Sequence, residues 1–436
     1  MFPILLYIVA KIKGEFKNAK NQKALSFVLL FAIFLSLTGC WDQRGVEEYA
    51  FVIALGMDKV DNQKDKVRIT YLIANPETGS VASSASSQEP PRGIISFEAN
   101  SLITAKSLAN IVIAKEITYD LVRMLFVSEE LARDKEFVRW IYDAAKSMDI
   151  RRDIQFLVTK EETSQFIQTN KPLLETRPHD YYEKIFNVGE IFGTTPPSEL
   201  NTFFRITEAD ADLFLGMYGT TEKVQEHKSN QEPDQIKAGE FHYTGETNTT
   251  QIAGSAVFKE GRMIDTLTIE ETKLTYLLNP TLKTGYFLFT FPDPFDEDYR
   301  VDAQIELDNP IKIDMNLKKD TPKIDVTVPI SLEVLSNHSM TDYSKDPMKQ
   351  DRLESSIKED LANKFKELIK KTQEEFKSEP FNWSLIARKE FPTIPDWEKF
   401  DWMKTYPDMD INVSVQLKLE KFGRQNELPR IEEMRD

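Results

Sequence analysis

The sequence predicts an α+β protein: a multi-domain, lipid-anchored ectodomain with a mixed α/β N-terminal domain and a C-terminal antiparallel sheet packed on a long helix. Three observations support this fold class. Helical and strand patterns alternate in the first half of the chain, whereas strand patterns dominate the second half up to one long helical pattern. The 436 residues are 41% hydrophobic, enough for the cores of two or three domains. An apolar run followed by the single cysteine lies near the N-terminus.

The N-terminal segment has the organisation of a bacterial export signal. Three lysines between residues 17 and 23 precede an apolar run of 14 residues, 24–37. A membrane-spanning helix needs about 20 apolar residues, whereas about 7–15 are typical of a signal peptide. The tetrapeptide Leu37-Thr38-Gly39-Cys40 follows and resembles the lipobox, in which small residues separate a leucine from the lipidated cysteine. We therefore expect a signal peptide over residues 1–39 and a diacylglyceryl group on Cys40.

An uncleaved signal anchor is the alternative, with Cys40 buried at its end as a small apolar side chain. The apolar stretch 1–10 does not fit the basic region of an ordinary signal peptide, and its role stays open. Because there is no second cysteine, the chain forms no intramolecular disulfide and its domains depend on ordinary apolar cores.

The acidic charge excludes two kinds of partner. The formal net charge is −16, and residues 1–39 contribute +4, which leaves −20 for the part from Cys40 onward. Such a body repels nucleic-acid phosphates and has no polybasic face for anionic lipids, so we expect no nucleic-acid partner. A lipid anchor needs no basic surface, because each buried methylene of its two acyl chains contributes about 0.8 kcal/mol.

Residues 40–200 are predicted to form the N-terminal domain. Alternating or short apolar runs predict strands, and apolar residues at three- and four-residue spacing predict helices. The Ser/Ala/Pro-rich segment 79–93 is predicted to be a mobile loop. The expected strands lie at residues 51–55, 67–74, 125–127 and 154–158, and the expected helices at 101–115 and, capped by Asp134, at 134–148.

Residues 201–240 are predicted to be a linker or mobile segment, because 219–239 is polar and nearly free of apolar residues. The C-terminal domain follows at 241–423, with two subdomains divided near residue 300 as an alternative, and 424–436 is a predicted flexible tail. Asp346-Pro347 predicts the start of a long helix, with Asp as the N-cap. The expected strands are a hairpin at residues 251–258 and 262–268, then 286–291, 301–307, 311–317, 324–330 and 411–419.

Several segments resemble the Ger(x)C family, the C-subunit lipoproteins of spore germinant receptors. The sequence CWDQR stands at residues 40–44, and Gly56-Met57-Asp58 follows the first predicted strand. The remaining segments that carry the resemblance are LFVSEELAR at 125–133, DIRRDIQFLVTK at 149–160, GSAVFK at 254–259 with Glu270-Glu271, the long helix with its end at 375–378, Phe381-Asn382, and 397–407. The resemblance extends from Cys40 to about residue 423 and is carried by the order and spacing of these segments.

The resemblance implies a function and a location. Proteins of this family lie at the outer face of the inner spore membrane of endospore-forming bacteria. They act with two integral-membrane subunits, an A-type subunit and a permease-like B-type subunit, in a receptor that detects nutrients and triggers germination. On this basis we expect no enzymatic activity and no cofactor.

Motifs of common enzymes are missing from the sequence, which contains no GxSxG, GxGxxG, P-loop or HExxH pattern. The acidic pair Glu270-Glu271 is expected to lie on a solvated face. An aromatic-rich stretch could line a sugar or peptide groove, although core packing is the simpler interpretation. Its members are Trp383, Trp397, Phe400, Trp402 and Tyr406. The histidines have no metal-ligand spacing and are expected to be ordinary surface or hydrogen-bonding residues; they are His179, His227, His242 and His338.

Two other functions compete with the receptor subunit. A lipid-anchored solute-binding protein of a transporter should contain two similar α/β lobes, which the strand-rich second half argues against. A lipid-anchored cell-wall enzyme should contain catalytic motifs, which the sequence lacks.

Overall fold

The computed structural model describes residues 45–74, 92–146, 150–175, 177–223, 232–282 and 285–423. Residues Ala50–Asp436 belong to one compact unit, and of the preceding unit only the end is described, with a 3₁₀ turn at Val46–Glu48. The predictions for Cys40, the signal peptide, His227, the loop segment 79–91 and the tail 424–436 lie outside the described residues.

A nine-stranded mixed sheet forms the first half of the described fold. Its strand order is β3-β2-β1-β5-β6-β7-β8-β9, with β4 beside β1. The strands are β1 Tyr49–Lys59, β2 Val67–Ala74, β3 Arg92–Ala99, β4 Glu116–Thr118, β5 Met124–Ser128, β6 Gln155–Thr159, β7 Phe214–Thr220, β8 Gln251–Lys259 and β9 Arg262–Leu267. The central strands β1, β5, β6 and β7 are parallel, and the outer pairs are antiparallel. Parallel strands are normally covered on both faces, and every residue of β5 and β7 is buried.

Helices cover both faces of this sheet. They are α1 Leu102–Ala109, α2 Glu129–Ala132, α3 Phe137–Lys146, α4 Thr163–Thr169, α5 Pro178–Ile191 and α6 Leu200–Ala209. On one face, Phe203 of α6 packs against Phe156 of β6 and Phe258 of β8, with both ring-centroid distances 5.6 Å. On the other face, Phe126 of β5 packs against Phe166 of α4 and Tyr182 of α5. Apolar contacts on both faces therefore hold the sheet between helices.

A second sheet of five strands carries the C-terminal part of the chain. Its strands are β10 Phe287–Pro292, β11 Arg300–Leu307, β12 Lys312–Asn316, β13 Lys323–Asn337 and β14 Asp410–Phe422. Helix α7, Ile269–Leu278, precedes this sheet in the chain. Between β13 and β14 lie the helices α8 Pro347–Lys371, α9 Ser384–Ala387, α10 Ile394–Phe400 and α11 Trp402–Thr405. The apolar stripe of α8, which includes Leu353, Leu361 and Phe365, is buried in the core of this sheet. Asp346 caps α8 by accepting hydrogen bonds from the backbone N–H groups of Met348 and Lys349, which confirms the predicted start of the helix.

One pairing differs from the predicted antiparallel sheet, because β14 runs parallel to β13 along nearly its whole length. Alternation of apolar residues predicted that β14 is a strand but carries no information on its direction. The connection between β13 and β14 contains α8, and a long crossover of this kind joins parallel strands. The other pairings of the second sheet are antiparallel, as predicted.

The predicted linker also differs from the observed structure. Leu200–Ala209 forms α6 and Phe214–Thr220 forms β7, which pairs with β8 on the far side of the polar segment. Only the polar segment after β7 has the expected composition of a connection. At its end, Ala238 and Gly239 are buried, and their N–H groups donate hydrogen bonds to Ala253 and Gln251 of β8. The first sheet is therefore continuous across this segment, whereas the division into domains stays a prediction.

Two helix boundaries differ from those predicted. The helix expected over residues 101–115 ends at Ala109, with Ser101 as its N-cap. The helix expected from residue 134 begins at Phe137, and the Asp134 carboxylate accepts a hydrogen bond from the Glu136 N–H before the helix starts. The predicted hairpin is confirmed, and Glu260 and Gly261 at its turn have φ values of +50° and +75°, as the tight turn requires.

Candidate functional site

The sequence-predicted site residues are not brought together. His179, His242 and His338 are exposed and lie on separate segments. Trp383, Trp402 and Tyr406 are buried in the second core, and Trp397 and Phe400 pack against it, which confirms core packing for the aromatic stretch. Within the described ranges, no group of His, Cys, Asp or Glu side chains is arranged to hold a metal ion.

A cleft between the two sheets is a candidate for a binding site. It encloses about 240 Å³ between α6, β7, α7 and residues 380–382. Clefts between structural modules are common positions for small-molecule sites. Because its walls come from segments far apart in sequence, no local motif could have predicted it.

The α6 wall presents two opposite charges on one helix face. Glu199, Thr202 and Arg205 are spaced by three residues, so their side chains follow one another along the helix. Arg205 is exposed and Glu199 half-buried. Among the described residues, neither charged side chain has a hydrogen bond or an ion pair within 4.0 Å, but the charge of Arg205 acts on the buried Asp212 and the charge of Glu199 acts on Glu190.

The opposite wall is built from α7 and the segment that follows the long helix. Asn279 accepts hydrogen bonds from the N–H and hydroxyl of Thr281, and the Asn382 amide donates to the same hydroxyl at 3.2 Å. Asn382 has a φ of +58°, a left-handed conformation that asparagine tolerates better than most residues. Its Oδ1 atom is buried without a donor in the described part of the chain.

A buried carboxyl pair lies directly behind the cleft, because Asp212 precedes Leu213 and Glu379 precedes Pro380 in its lining. Glu379 accepts hydrogen bonds from the backbone N–H groups of Phe381, Trp383 and Ser384. The Glu379 carbonyl accepts a hydrogen bond from the Leu213 N–H at 2.8 Å. The pair therefore joins the start of β7 to the segment after the long helix.

Burial raises the pKa of both carboxyl groups, and the charge of Asp212 raises the pKa of Glu379 further. The Oδ1 atom of Asp212 has no hydrogen-bond donor among the described residues, and the Asp212 and Glu379 carboxyl groups interact directly. We infer that Glu379 is protonated and donates to Asp212, because two adjacent buried carboxylates cannot both be charged at an acceptable cost.

A third carboxyl group near the cleft titrates close to neutral pH. Burial, followed by the negative charge of Glu199, raises the pKa of Glu190 on α5 to about 7. Because Glu199 lines the cleft, the charge of the cleft and the protonation of Glu190 are coupled.

Two family models match the chain in order. The model described as "Spore germination protein N-terminal domain" matches residues 42–219, and the model described as "Spore germination B3/ GerAC like, C-terminal" matches residues 253–423. The chain therefore belongs to the GerAC-like family of spore germination proteins, which confirms the predicted resemblance.

Individual relatives agree with this assignment. In Bacillus subtilis (strain 168), "Spore germination protein B3" is 19% identical over 405 residues, covering 92% of this chain and 99% of that protein. "Spore germination protein KC" of the same organism is 21% identical over 188 residues, covering 43% and 42%. A third protein of that organism, YfkR, is 22% identical over 412 residues, covering 91% and 96%. The crystal structure of the GerBC protein aligns with a TM-score of 0.48 and 15% identity, covering 84% of this chain and 96% of that one.

Proposed function

We propose that this protein is the lipid-anchored C subunit of a spore nutrient germinant receptor and is required for assembly or signalling of that receptor. Membership of the germination family from residue 42 to residue 423 is the observation that carries this proposal. The N-terminal match begins two residues after Cys40, as expected if cleavage before that cysteine leaves the mature protein.

The anchor and the partners are parts of the same proposal. A diacylglyceryl Cys40 would hold the protein at the outer face of the inner spore membrane, where tethering raises its effective concentration near integral-membrane proteins. Its partners would be the A-type and the permease-like B-type subunits. Among the described residues, no helix combines the length and apolar character needed to cross a bilayer.

The fold favours this function over a solute-binding protein of a transporter. Such a protein would consist of two similar lobes, whereas the two sheets here have nine and five strands in unrelated orders. Of the two sheets in the described ranges, the first alone has helices on both faces and a parallel centre.

An exposed apolar surface around α1 supports a protein–protein contact. Ile103, Ile111 and Val112 are 66%, 77% and 70% exposed and lie within ten residues of one another in the sequence. Exposed large apolar side chains on one part of a protein are a feature of interaction surfaces.

Deletion of the gene tests the function. In spores where this is the only receptor, deletion should abolish germination by nutrients, lower the level of the A-type and B-type subunits, and leave non-nutrient triggers effective. Normal nutrient germination in such spores would rule the proposal out.

Substitutions test the surface. Ile111→Asp with Val112→Asp should reduce co-purification of the membrane subunits, because the charges would have to be desolvated in the interface. The matched control is Leu174→Asp, since Leu174 is also an exposed apolar side chain but lies on another segment. Equal recovery of the partners with both variants would place the contact elsewhere.

A further inference from the structure

We propose that the free edge of β14 binds the same edge of a second copy of this chain, in an antiparallel pairing related by a two-fold axis at Ser414. The second sheets of the two copies would then form one continuous sheet. This inference goes beyond the proposed function, because it concerns a contact between two copies of this chain and not a contact with the membrane subunits. It rests on the backbone, the side chains and the charges of β14.

The backbone of β14 is paired on one side. The strand extends over 13 residues, Asp410–Phe422, and within the described ranges it pairs with β13 alone. The Asp410 N–H donates to the Pro322 carbonyl at 3.0 Å, so the even-numbered residues direct their backbone groups toward β13. The odd-numbered residues from Ile411 to Leu417 direct theirs outward, where no described residue pairs with them. Such a row of unpaired backbone groups can accept another strand.

The side chains of β14 leave this edge open. All the even-numbered side chains over residues 410–420 are exposed. The stretch 411–417 contains no charged residue and no proline, which are features that commonly protect an edge strand. Several apolar side chains at the margin of the second core are only half-buried, and an added strand would cover them further. They are Ile411, Val413, Leu417 and Leu419.

The charges favour a second copy of the same strand as the occupant. In the pairing centred on Ser414, Asp410 of each copy lies opposite Lys418 of the other copy, which gives two pairs of opposite charge by symmetry. Within one copy, Lys418 already contacts Glu420 at 2.7 Å, so each lysine would lie between two carboxylates. A pairing centred on Val415 would place Asp410 opposite Glu420, and like charges directly opposite each other are destabilising.

The outward backbone groups fit the same centre. Because these groups belong to odd-numbered residues, Val413 of one copy would exchange hydrogen bonds with Val415 of the other. Ser414 would face its own counterpart in a pair without hydrogen bonds between them. The Cα atoms of such a pair are about 4.5 Å apart, which is within the range that a disulfide spans. A single cysteine at position 414 therefore reports on the pairing.

Disulfide cross-linking of the full-length protein in detergent micelles tests the proposal. After mild oxidation, Ser414→Cys should form a disulfide-linked dimer as the major species. Asn412→Cys is the matched control, because it is also exposed on β14 but its two copies would be offset by four residues, or about 13 Å. A mixture of Asn412→Cys and Gln416→Cys should cross-link again, since these positions lie opposite each other. The unsubstituted chain gives the background, because Cys40 is its single cysteine.

A proline variant tests the hydrogen bonds of the pairing. Val413→Pro removes an outward N–H and keeps the hydrogen bonds to β13, and an edge strand accepts proline at such a position. The dissociation constant of the dimer should rise at least tenfold, as measured by sedimentation equilibrium of the full-length protein in micelles. Val413→Thr is the matched control, because it keeps the N–H group and should leave the dissociation constant within about twofold.

Several results would overturn the proposal. These are the absence of a cross-link in Ser414→Cys, equal cross-linking by Asn412→Cys alone, and an unchanged dissociation constant in Val413→Pro. A cross-link from Ser414→Cys to a different protein in native membranes would assign the edge to that protein and would also overturn the self-pairing. The gene-deletion experiment does not involve the edge of β14, so failure here would leave the proposed receptor function intact.

Discussion

The hydroxyl group of Ser384 donates a hydrogen bond to the Oδ2 atom of Asp212 at 2.5 Å, although 172 positions separate the two residues. Together with the Glu379 carboxyl group, this contact fixes the start of β7 against the segment after the long helix. A buried carboxyl pair in this position makes the contact dependent on pH.

Glu379→Gln should reduce the loss of stability at high pH. Because burial raises the pKa of Asp212 and Glu379 in the folded state, their contribution to stability is full below the ordinary carboxyl pKa of about 4 and is lost as the pH rises through the raised values. A glutamine at position 379 still donates toward Asp212 but cannot ionise. Urea unfolding at about pH 5 and about pH 8 should show a smaller difference in the free energy of unfolding for this variant than for the wild type.

Glu379→Ala is the contrasting variant. It leaves the backbone N–H groups of Trp383 and Ser384 without their acceptor, at about 1–3 kcal/mol for each buried group. Its free energy of unfolding should therefore be lower at both pH values. An unchanged pH difference in Glu379→Gln would show that the pair does not share a proton.

Glu199→Gln should lower the pKa of Glu190. The wild-type pKa of about 7 has two causes, burial and the charge of Glu199, and the substitution removes only the second. The Glu190 pKa should fall but remain above its ordinary value, as followed by carbon-detected NMR titration of the side-chain carboxyl. Glu183→Gln, an exposed change on the same helix, is the control and should leave the Glu190 pKa where it is. A Glu190 pKa that does not move in Glu199→Gln would contradict the coupling.

Gly254→Ala should destabilise the protein by about 2–4 kcal/mol. Gly254 in β8 has a φ of +77°, and a methyl group there would clash with the backbone carbonyl oxygen of Leu267 in the neighbouring strand. The control is Gly245→Ala, which has a φ of +114° but no atom within 4 Å of the added methyl group, so only backbone strain of about 1–2 kcal/mol remains. Thermal or urea unfolding gives both values, and equal losses would mean that β9 moves to accommodate the methyl group.

Cys40→Ala should abolish lipidation. Without the thiol there is no site for the diacylglyceryl group, so the variant should either accumulate as an uncleaved precursor or move from the detergent phase to the aqueous phase. Thr38→Ala, which keeps a small residue before the cysteine, should behave as the wild type. Normal lipid labelling of the Cys40→Ala variant would refute the anchor.

Periodic apolar patterns predicted the regular elements of the second half well. Asp346-Pro347 predicted the start of the long helix, and the alternation over residues 411–419 predicted the last strand. The direction of that strand was not predictable from its own residues, because it depends on the crossover through α8.

The region between the predicted domains was less predictable. Helix α6 was not predicted, because the polar composition of residues 219–239 indicated a linker over residues 201–240. Strand β7 was not predicted either, although all its residues are buried. The cleft could not be predicted at all, because Arg205, Asn279 and Asn382 are brought together only by the packing of both sheets.

The pairing of β7 with β8 has a consequence for any attempt to produce the two family-model regions separately. The first region, residues 42–219, ends within β7, and its partner strand begins at Gln251, outside that region. A fragment cut between them would expose β7 as an unprotected edge of seven residues with no charged side chain. Such an edge is a template for pairing with other chains, so the fragment should aggregate unless β8 and β9 are included.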